Sequence, residues 1–147
     1  MITIRTITEH DAEAVATLSE QLGYPLSASQ LRDRFLRIAT TMGNGLFVAT
    51  NEATNKQQAV IGWVHVHTVD RLEVARYAEI GGIVVDVACQ ASGVGRSLMA
   101  CAEKWASDCG YDRIKLSSGA HRNEAHAFYE RIGYSNIRTS FRFEKLL

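Results

Sequence analysis

Ile83-Val84-Val85-Asp86-Val87-Ala88-Cys89-Gln90-Ala91-Ser92-Gly93-Val94-Gly95-Arg96-Ser97-Leu98 is the stretch on which the fold turns. An apolar, β-branched run passes through a short loop into a helix whose first turn carries two glycines and a serine. Such a start leaves backbone N–H groups without intrahelical partners. The glycines let a ligand approach the main chain, and the helix dipole adds about half a positive charge there. That combination suits a diphosphate. The same residues also read as a plain glycine-rich helix start, and spacing alone leaves both readings open. Two familiar phosphate motifs are excluded. No Lys-Ser or Lys-Thr follows the glycines, as GxxxxGK[ST] requires, and Leu98 stands where GxGxxG needs a third glycine or alanine.

Working outward, Ile2–Ile7 alternates apolar and polar residues as a half-buried strand does. Thr8 and Asp11 form an [ST]-x-x-[DE] helix start before Ala12, Val15, Ala16, Leu18 and Leu22, and Gly23-Tyr24-Pro25 stops that helix. A second helix begins near Ser27 or Ser29 and carries Leu31, Phe35 and Ile38, followed by a turn at Gly43-Asn44-Gly45. Leu46–Thr50 and Val60–Val69 flank the polar Asn51–Gln58 stretch and read as an antiparallel hairpin. After a polar loop at Val69–Arg76, Tyr77–Val85 is the next strand. Val94, Leu98, Cys101, Ala102, Trp105 and Cys109 keep helical spacing up to Gly110. Ile114–Ser117 is a short strand, Asn123–Ile132 a helix closed by Gly133, and Ile137–Phe143 a last alternating strand. The order β-α-α-β-β-β-α-β-α-β predicts an α/β (α+β) mixed sheet in a single domain over residues 1–147.

The composition bounds the class. With 147 residues, 16 Lys+Arg against 16 Asp+Glu and zero net charge, the chain is neither a basic nucleic-acid binder nor a polybasic membrane anchor. Cys89, Cys101 and Cys109 form no CxxC pair and read as reduced thiols of a cytoplasmic protein, the latter two as core filler. The N-terminus has a strand pattern in place of a secretory signal, and no apolar run approaches the ~20 residues of a membrane helix.

Two motifs together resemble the GNAT superfamily of N-acetyltransferases. Gln90-Ala91-Ser92-Gly93-Val94-Gly95 is similar to that family's [QR]-x-x-G-x-[GA] segment, which wraps the pyrophosphate of coenzyme A. Asn123-Glu124-Ala125-His126-Ala127-Phe128-Tyr129-Glu130-Arg131-Ile132-Gly133-Tyr134 is similar to its N-x-x-A-x-x-F-Y-x-x-x-G-[FY] helix. The resemblance runs along the whole chain in element order. Gln90 stands where arginine is commoner, and Val87 where many members have proline.

The resemblance implies an acetyl-CoA-dependent N-acetyltransferase that acetylates a primary amine by direct transfer, without metal. The backbone of Ile83, Val84 and Val85 would pair with the pantetheine arm, and the Val85 N–H would polarise the thioester carbonyl. Gln90, Ala91, Ser92, Gly93, Val94, Gly95, Arg96 and Ser97 would hold the diphosphate, with a solvated surface as the other reading of Arg96. Asn123 would bond the cofactor arm or serve as a polar helix start. Tyr129 would protonate the departing thiolate, or pack in a core with Phe128 and Ile132. Glu79 is a candidate base or a lure for a cationic amine. It shares parity with Gly81, Ile83 and Val85 so long as no bulge intervenes, although Gly81-Gly82 can permit one. His65 and His67 point to one sheet face, where cross-strand packing or exposure is preferred over metal binding. The acceptor side would be built from Gln21–Leu26 with Tyr24 as a lid residue, the arginines Arg32, Arg34 and Arg37, and the Asp70–Glu73 loop. Ile137–Phe143 is a candidate dimer contact. The alternative is an acyl-CoA-binding sensor or interaction module without turnover.

Overall fold

The alternating segments pair as their patterns require. A computed structural model describes residues 1–52 and 58–147, so most of the polar connection expected over 51–58 lies outside the described residues. Its strands are β1 (Ile2–Thr6), β2 (Asn44–Glu52), β3 (Gln58–Val69), β4 (Tyr77–Val85) and β5 (Ile114–Lys115). The helices are α1 (Ala12–Gln21), α2 (Ala28–Ala39), α3 (Val94–Asp108) and α4 (Asn123–Arg131). The chain divides into two compact units, Met1–Leu116 and Ser117–Leu147.

In the first unit the five strands lie in the order β1-β2-β3-β4-β5. β1 to β4 are antiparallel neighbours and β5 runs parallel to β4, which makes the sheet mixed as the sequence predicts. One face packs on α3. A Cβ at Gly62 would lie 3.0 Å from Leu98 and 3.2 Å from Val94, and Val64, Val66, Val94, Leu98 and Met99 are at most 1% exposed. Full burial of each such side chain contributes roughly 1.5–3 kcal/mol. The other face is covered by α1 and α2, whose Val15, Leu31 and Phe35 pack with Ile7, Val48 and Trp63.

Helix starts follow the sequence signals. Thr8 N–H donates to the Asp11 carboxylate at 2.8 Å, while Arg5 grips the same carboxylate through two bonds of 2.8 Å. This pairing holds the Asp11 carboxyl below the usual carboxylate range. Ser27 caps α2, accepting from Gln30 N–H at 3.1 Å while the Gln30 side chain accepts from Ser27 N–H at 2.9 Å. Cys109 departs from expectation: it is exposed at the end of α3 and fills no core.

In the second unit α4 ends where Gly133 takes a left-handed φ of +101°, as the sequence predicts. The last strand does not form. Residues 134–147 join no ladder, and Ile137, Phe141 and Phe143 are 76%, 86% and 95% exposed. Alternation shows that a segment is able to pair, but a strand exists only where a partner edge satisfies its backbone.

Candidate functional site

The two edges of β4 differ. Its inner edge pairs with β3 from Val69↔Tyr77 to Gly62↔Val85. Its outer edge meets β5 only at Ala78 and Glu79. The Asp86 N–H donates inward to the Ile61 carbonyl at 2.9 Å. Successive N–H groups of a strand point to opposite edges, so those of Ile83 and Val85 point outward. Among the described residues no strand lies beside them.

From Val85 the chain enters a tight loop. The Asp86 carboxylate accepts from Ala88 N–H at 3.0 Å, and the Asp86 carbonyl accepts from Cys89 N–H at 2.8 Å. The Ser92 hydroxyl donates to the Cys89 carbonyl. α1 reaches over to hold the loop: the Gln21 side chain accepts from Val87 N–H at 3.0 Å and its amide lies 3.5 Å from Asp86 Oδ1. Ala91 and Gly93 adopt φ of +64° and +88°, the left-handed region in which glycine is at ease and alanine is strained. The first helical bond of α3 is Ser97 N–H to the Gly93 carbonyl at 3.0 Å. The N–H groups of Val94, Gly95 and Arg96 are therefore left for an acceptor, with no acidic side chain in the first turn to compete. Gln90, Ala91, Ser92 and Arg96 are exposed around them, and Ser97 is half-buried. These residues fit the phosphates of a coenzyme A.

Gly81 carries a bulge. The register passes from His65↔Gly82 to Val66↔Ile80, which leaves Gly81 as the extra residue. This corrects the expected parity. Glu79 shares the face of Gly82 and Val84, toward α1 and α2, whereas Ile83 and Val85 face α3. The same face carries Trp63, His65 and His67 of β3. Their rings lie over the two glycines: a Cβ on Gly81 would come 2.9 Å from His65 Nδ1, and one on Gly82 would come 2.8 Å from the Trp63 ring.

The two histidines are held differently. Asn44 donates to the Thr41 carbonyl at 3.2 Å and turns its own carbonyl to His65 Nε2, which donates to it at 2.9 Å. Burial, with a smaller contribution from the neighbouring His67, pushes the His65 pKa down to about 4. His67 Nδ1 donates to the Thr68 carbonyl at 3.3 Å and Nε2 lies 3.7 Å from Glu79 Oε2, with these two side chains 30% and 29% exposed. Across the β4–β5 ladder Glu79 registers with Lys115, whose ammonium sits 4.3 Å over the Tyr77 ring. Among the described residues no group of three or more His, Cys, Asp or Glu is arranged to hold a metal ion. From sequence His67 is expected only to pack or be exposed beside His65, and Gln21 only to line the acceptor side; the approach of His67 to Glu79 and the Gln21 clamp are seen only in the fold. Hairpin register combined with the Gly81-Gly82 pair was the available signal for the first, and nothing in the sequence marked the second.

Tyr24 is 68% exposed after α1. In the loop after β3 Arg76 holds Asp70 at 2.6 and 3.0 Å. In the second unit Asn123 opens α4 and is exposed. Tyr129 is half-buried against Phe128 and Tyr134, with ring centroids 5.3 and 6.1 Å away. Burial pushes the Tyr129 phenol up from its ordinary value, with Arg122 partly opposing, so it stays protonated at neutral pH. His126 donates to the Gly119 carbonyl at 2.8 Å and thereby braces the turn before α4.

Known proteins share this architecture. A transcriptional regulator of Bacillus halodurans superposes with a TM-score of 0.85 at 22% identity, covering 99% of this chain and 100% of its own. The aminoglycoside N-acetyltransferase AAC(6')-Iy, solved with the bisubstrate analogue CoA-S-monomethyl-acetylneamine, superposes at 0.84 with 15% identity, covering 100% and 99%. In sequence the chain is 35% identical over 89 residues to the aminoalkylphosphonate N-acetyltransferase of Salmonella typhimurium, a match spanning 60% of this chain and only 56% of that relative. The family model for Acetyltransferase (GNAT) matches residues 11–134, which include both the Gln90–Gly95 helix start and the Asn123–Tyr134 helix. With that match the chain belongs to the GNAT acetyltransferase family.

Proposed function

We propose that the protein is a cytoplasmic N-acetyltransferase, one domain over residues 1–147, that moves the acetyl group of acetyl-CoA to a primary amine of a small molecule or peptide in a ternary complex. One observation carries this reading. The unpaired outer edge of Ile83–Val85 leads through the 86–93 loop to the free N–H groups of Val94, Gly95 and Arg96. An extended amide-bearing arm fits the first, and a diphosphate fits the second.

On this reading Ile83 and Val85 bond the pantetheine amides and the Val85 N–H also faces the thioester oxygen, where a fixed donor stabilises developing negative charge. Asn123 adds a contact to the arm. Glu79 takes a proton from the acceptor ammonium, and the freed nitrogen lone pair forms the C–N bond as the C–S bond breaks. The thiolate then takes its proton from Tyr129, whose burial keeps that proton in place beforehand. Tyr24 and the arginines of α2 flank the acceptor. The exposed Ile137, Phe141 and Phe143 supply the contact of a homodimer.

The relatives named for aminoalkylphosphonate and aminoglycoside acetylation direct the acceptor panel toward small amines. The test is free-thiol release from acetyl-CoA with tobramycin, 2-aminoethylphosphonate, spermidine and a lysine-bearing peptide. Acceptor-dependent release supports the reading. Acetyl-CoA binding without release on any amine would favour the sensor module, and no binding would overturn both.

A further inference from the structure

His67 and Glu79 face each other with two lone pairs and room for one proton. The Thr68 carbonyl can only accept, so the hydrogen bond from His67 Nδ1 at 3.3 Å fixes that nitrogen as the protonated one. Nε2 of the neutral ring is then bare, and it lies 3.7 Å from the carboxylate oxygen Oε2 of Glu79. A small side-chain rotation brings the two within hydrogen-bond range. A single proton placed on either atom is shared with the other. Both side chains are about a third exposed, at 30% and 29%, so an amine can reach them.

Three neighbouring features make this arrangement specific to the sequence. The Gly81 bulge puts Glu79 on the histidine face, and the missing side chain at Gly81 leaves space for the His67 ring, whose Cδ2 lies 3.3 Å from where a Cβ would stand. His65, 5.4 Å away ring to ring, has its Nε2 committed to Asn44 and stays neutral, so it does not compete for the proton. Lys115, beside Glu79 in the ladder, is drawn onto Tyr77.

We propose that His67 is the positioning residue for Glu79: the two form a one-proton acceptor that takes the proton given up by the acceptor ammonium. The proton leaves the amine nitrogen, comes to rest between Glu79 Oε2 and His67 Nε2, and returns to water after transfer. This inference rests on the reading of Glu79 as the base.

The experiment compares Glu79→Gln, His67→Ala and the double variant, with acetyl-CoA and whichever of tobramycin, 2-aminoethylphosphonate and spermidine turns over fastest. Acetyl-CoA affinity by calorimetry serves as the folding control. The expected result is a kcat loss of about 10²-fold or more for Glu79→Gln and about tenfold for His67→Ala, at unchanged acetyl-CoA affinity. The double variant is no slower than Glu79→Gln alone. Added imidazole restores His67→Ala but not the double variant, which a merely structural role for His67 would not produce. Full turnover in His67→Ala beside a collapsed Glu79→Gln overturns the pair and leaves Glu79 as base. Additive losses without imidazole rescue also overturn it. Full turnover in Glu79→Gln overturns the base assignment and this inference together, and silence on these three amines and on the lysine-bearing peptide overturns the acetylation reading beneath them.

Discussion

β4 is one strand with two differently used edges. Inward, its N–H and carbonyl groups are consumed by the ladder to β3 as far as Gly62↔Val85, and they hold the sheet together. Outward, the ladder to β5 stops after Ala78 and Glu79, and the same kind of backbone group is left free at Ile83 and Val85. Neighbouring residues of near-identical chemistry are thereby divided between groups that hold the sheet and groups left for a partner. Side-chain type does not make that division; the direction of each N–H does.

Proline, which removes one N–H at a time, breaks the comparison most sharply. Val84→Pro deletes an inward donor in a buried strand and leaves its partner carbonyl unsatisfied, which should destabilise the protein by about 1–3 kcal/mol, read as a lowered urea midpoint. Val85→Pro deletes an outward donor, where an edge tolerates proline. It should leave the midpoint close to wild type while lowering kcat about 10²- to 10³-fold, the usual cost of losing one oxyanion donor. If the two variants behave alike, the edges are not functionally distinct.

Tyr129→Phe is expected to reduce kcat about 10²-fold with acetyl-CoA affinity unchanged in calorimetry, because in the proposed mechanism the phenol acts only when the thiolate forms. His65 gives a pH signature that belongs to the inner side of the sheet. Its folded pKa lies near 4, below the ordinary 6.5, so its neutral form is favoured by folding. Stability is full above pH 6.5 and falls as pH drops toward 4, by roughly 2 kcal/mol once solvent screening of a half-buried ring is allowed for. Urea titrations of His65→Gln between those pH values should show that part of the slope removed. The smallest effect is expected for Gly93→Val. Nothing lies within 4 Å of an added Cβ there, so the change acts only by disfavouring φ of +88°. Acetyl-CoA affinity should weaken about tenfold, the equivalent of 1–2 kcal/mol of backbone strain.

Much of this was legible in the sequence because it depends on local pattern. The helix starts at Thr8 and Ser27, the hairpin of β2 and β3, and the stops at Gly110 and Gly133 are each encoded within a few residues. The Gln90–Gly95 turn is likewise local, since its conformation needs only the left-handed residues at Ala91 and Gly93. Non-local facts were harder to read. The bulge at Gly81 was visible as a possibility, but one extra residue reverses the face of everything before it, and so Glu79 moved away from Ile83 and Val85. The meeting of His67 with Glu79 requires the register of two strands, which neither strand specifies alone. Ile137–Phe143 alternates like a strand and is not one, because pairing is a property of two segments.

Amide hydrogen exchange tests the use of the two edges most directly, with and without saturating acetyl-CoA. The outward amides of Ile83 and Val85, and those of Val94, Gly95 and Arg96 at the start of α3, should become protected when acetyl-CoA is added. The inward amides of Val84 and Asp86, already bonded to β3, should change little. Binding that leaves Ile83 and Val85 exchanging at their free rate would contradict the assignment of the outer edge of β4 as the cofactor's partner strand.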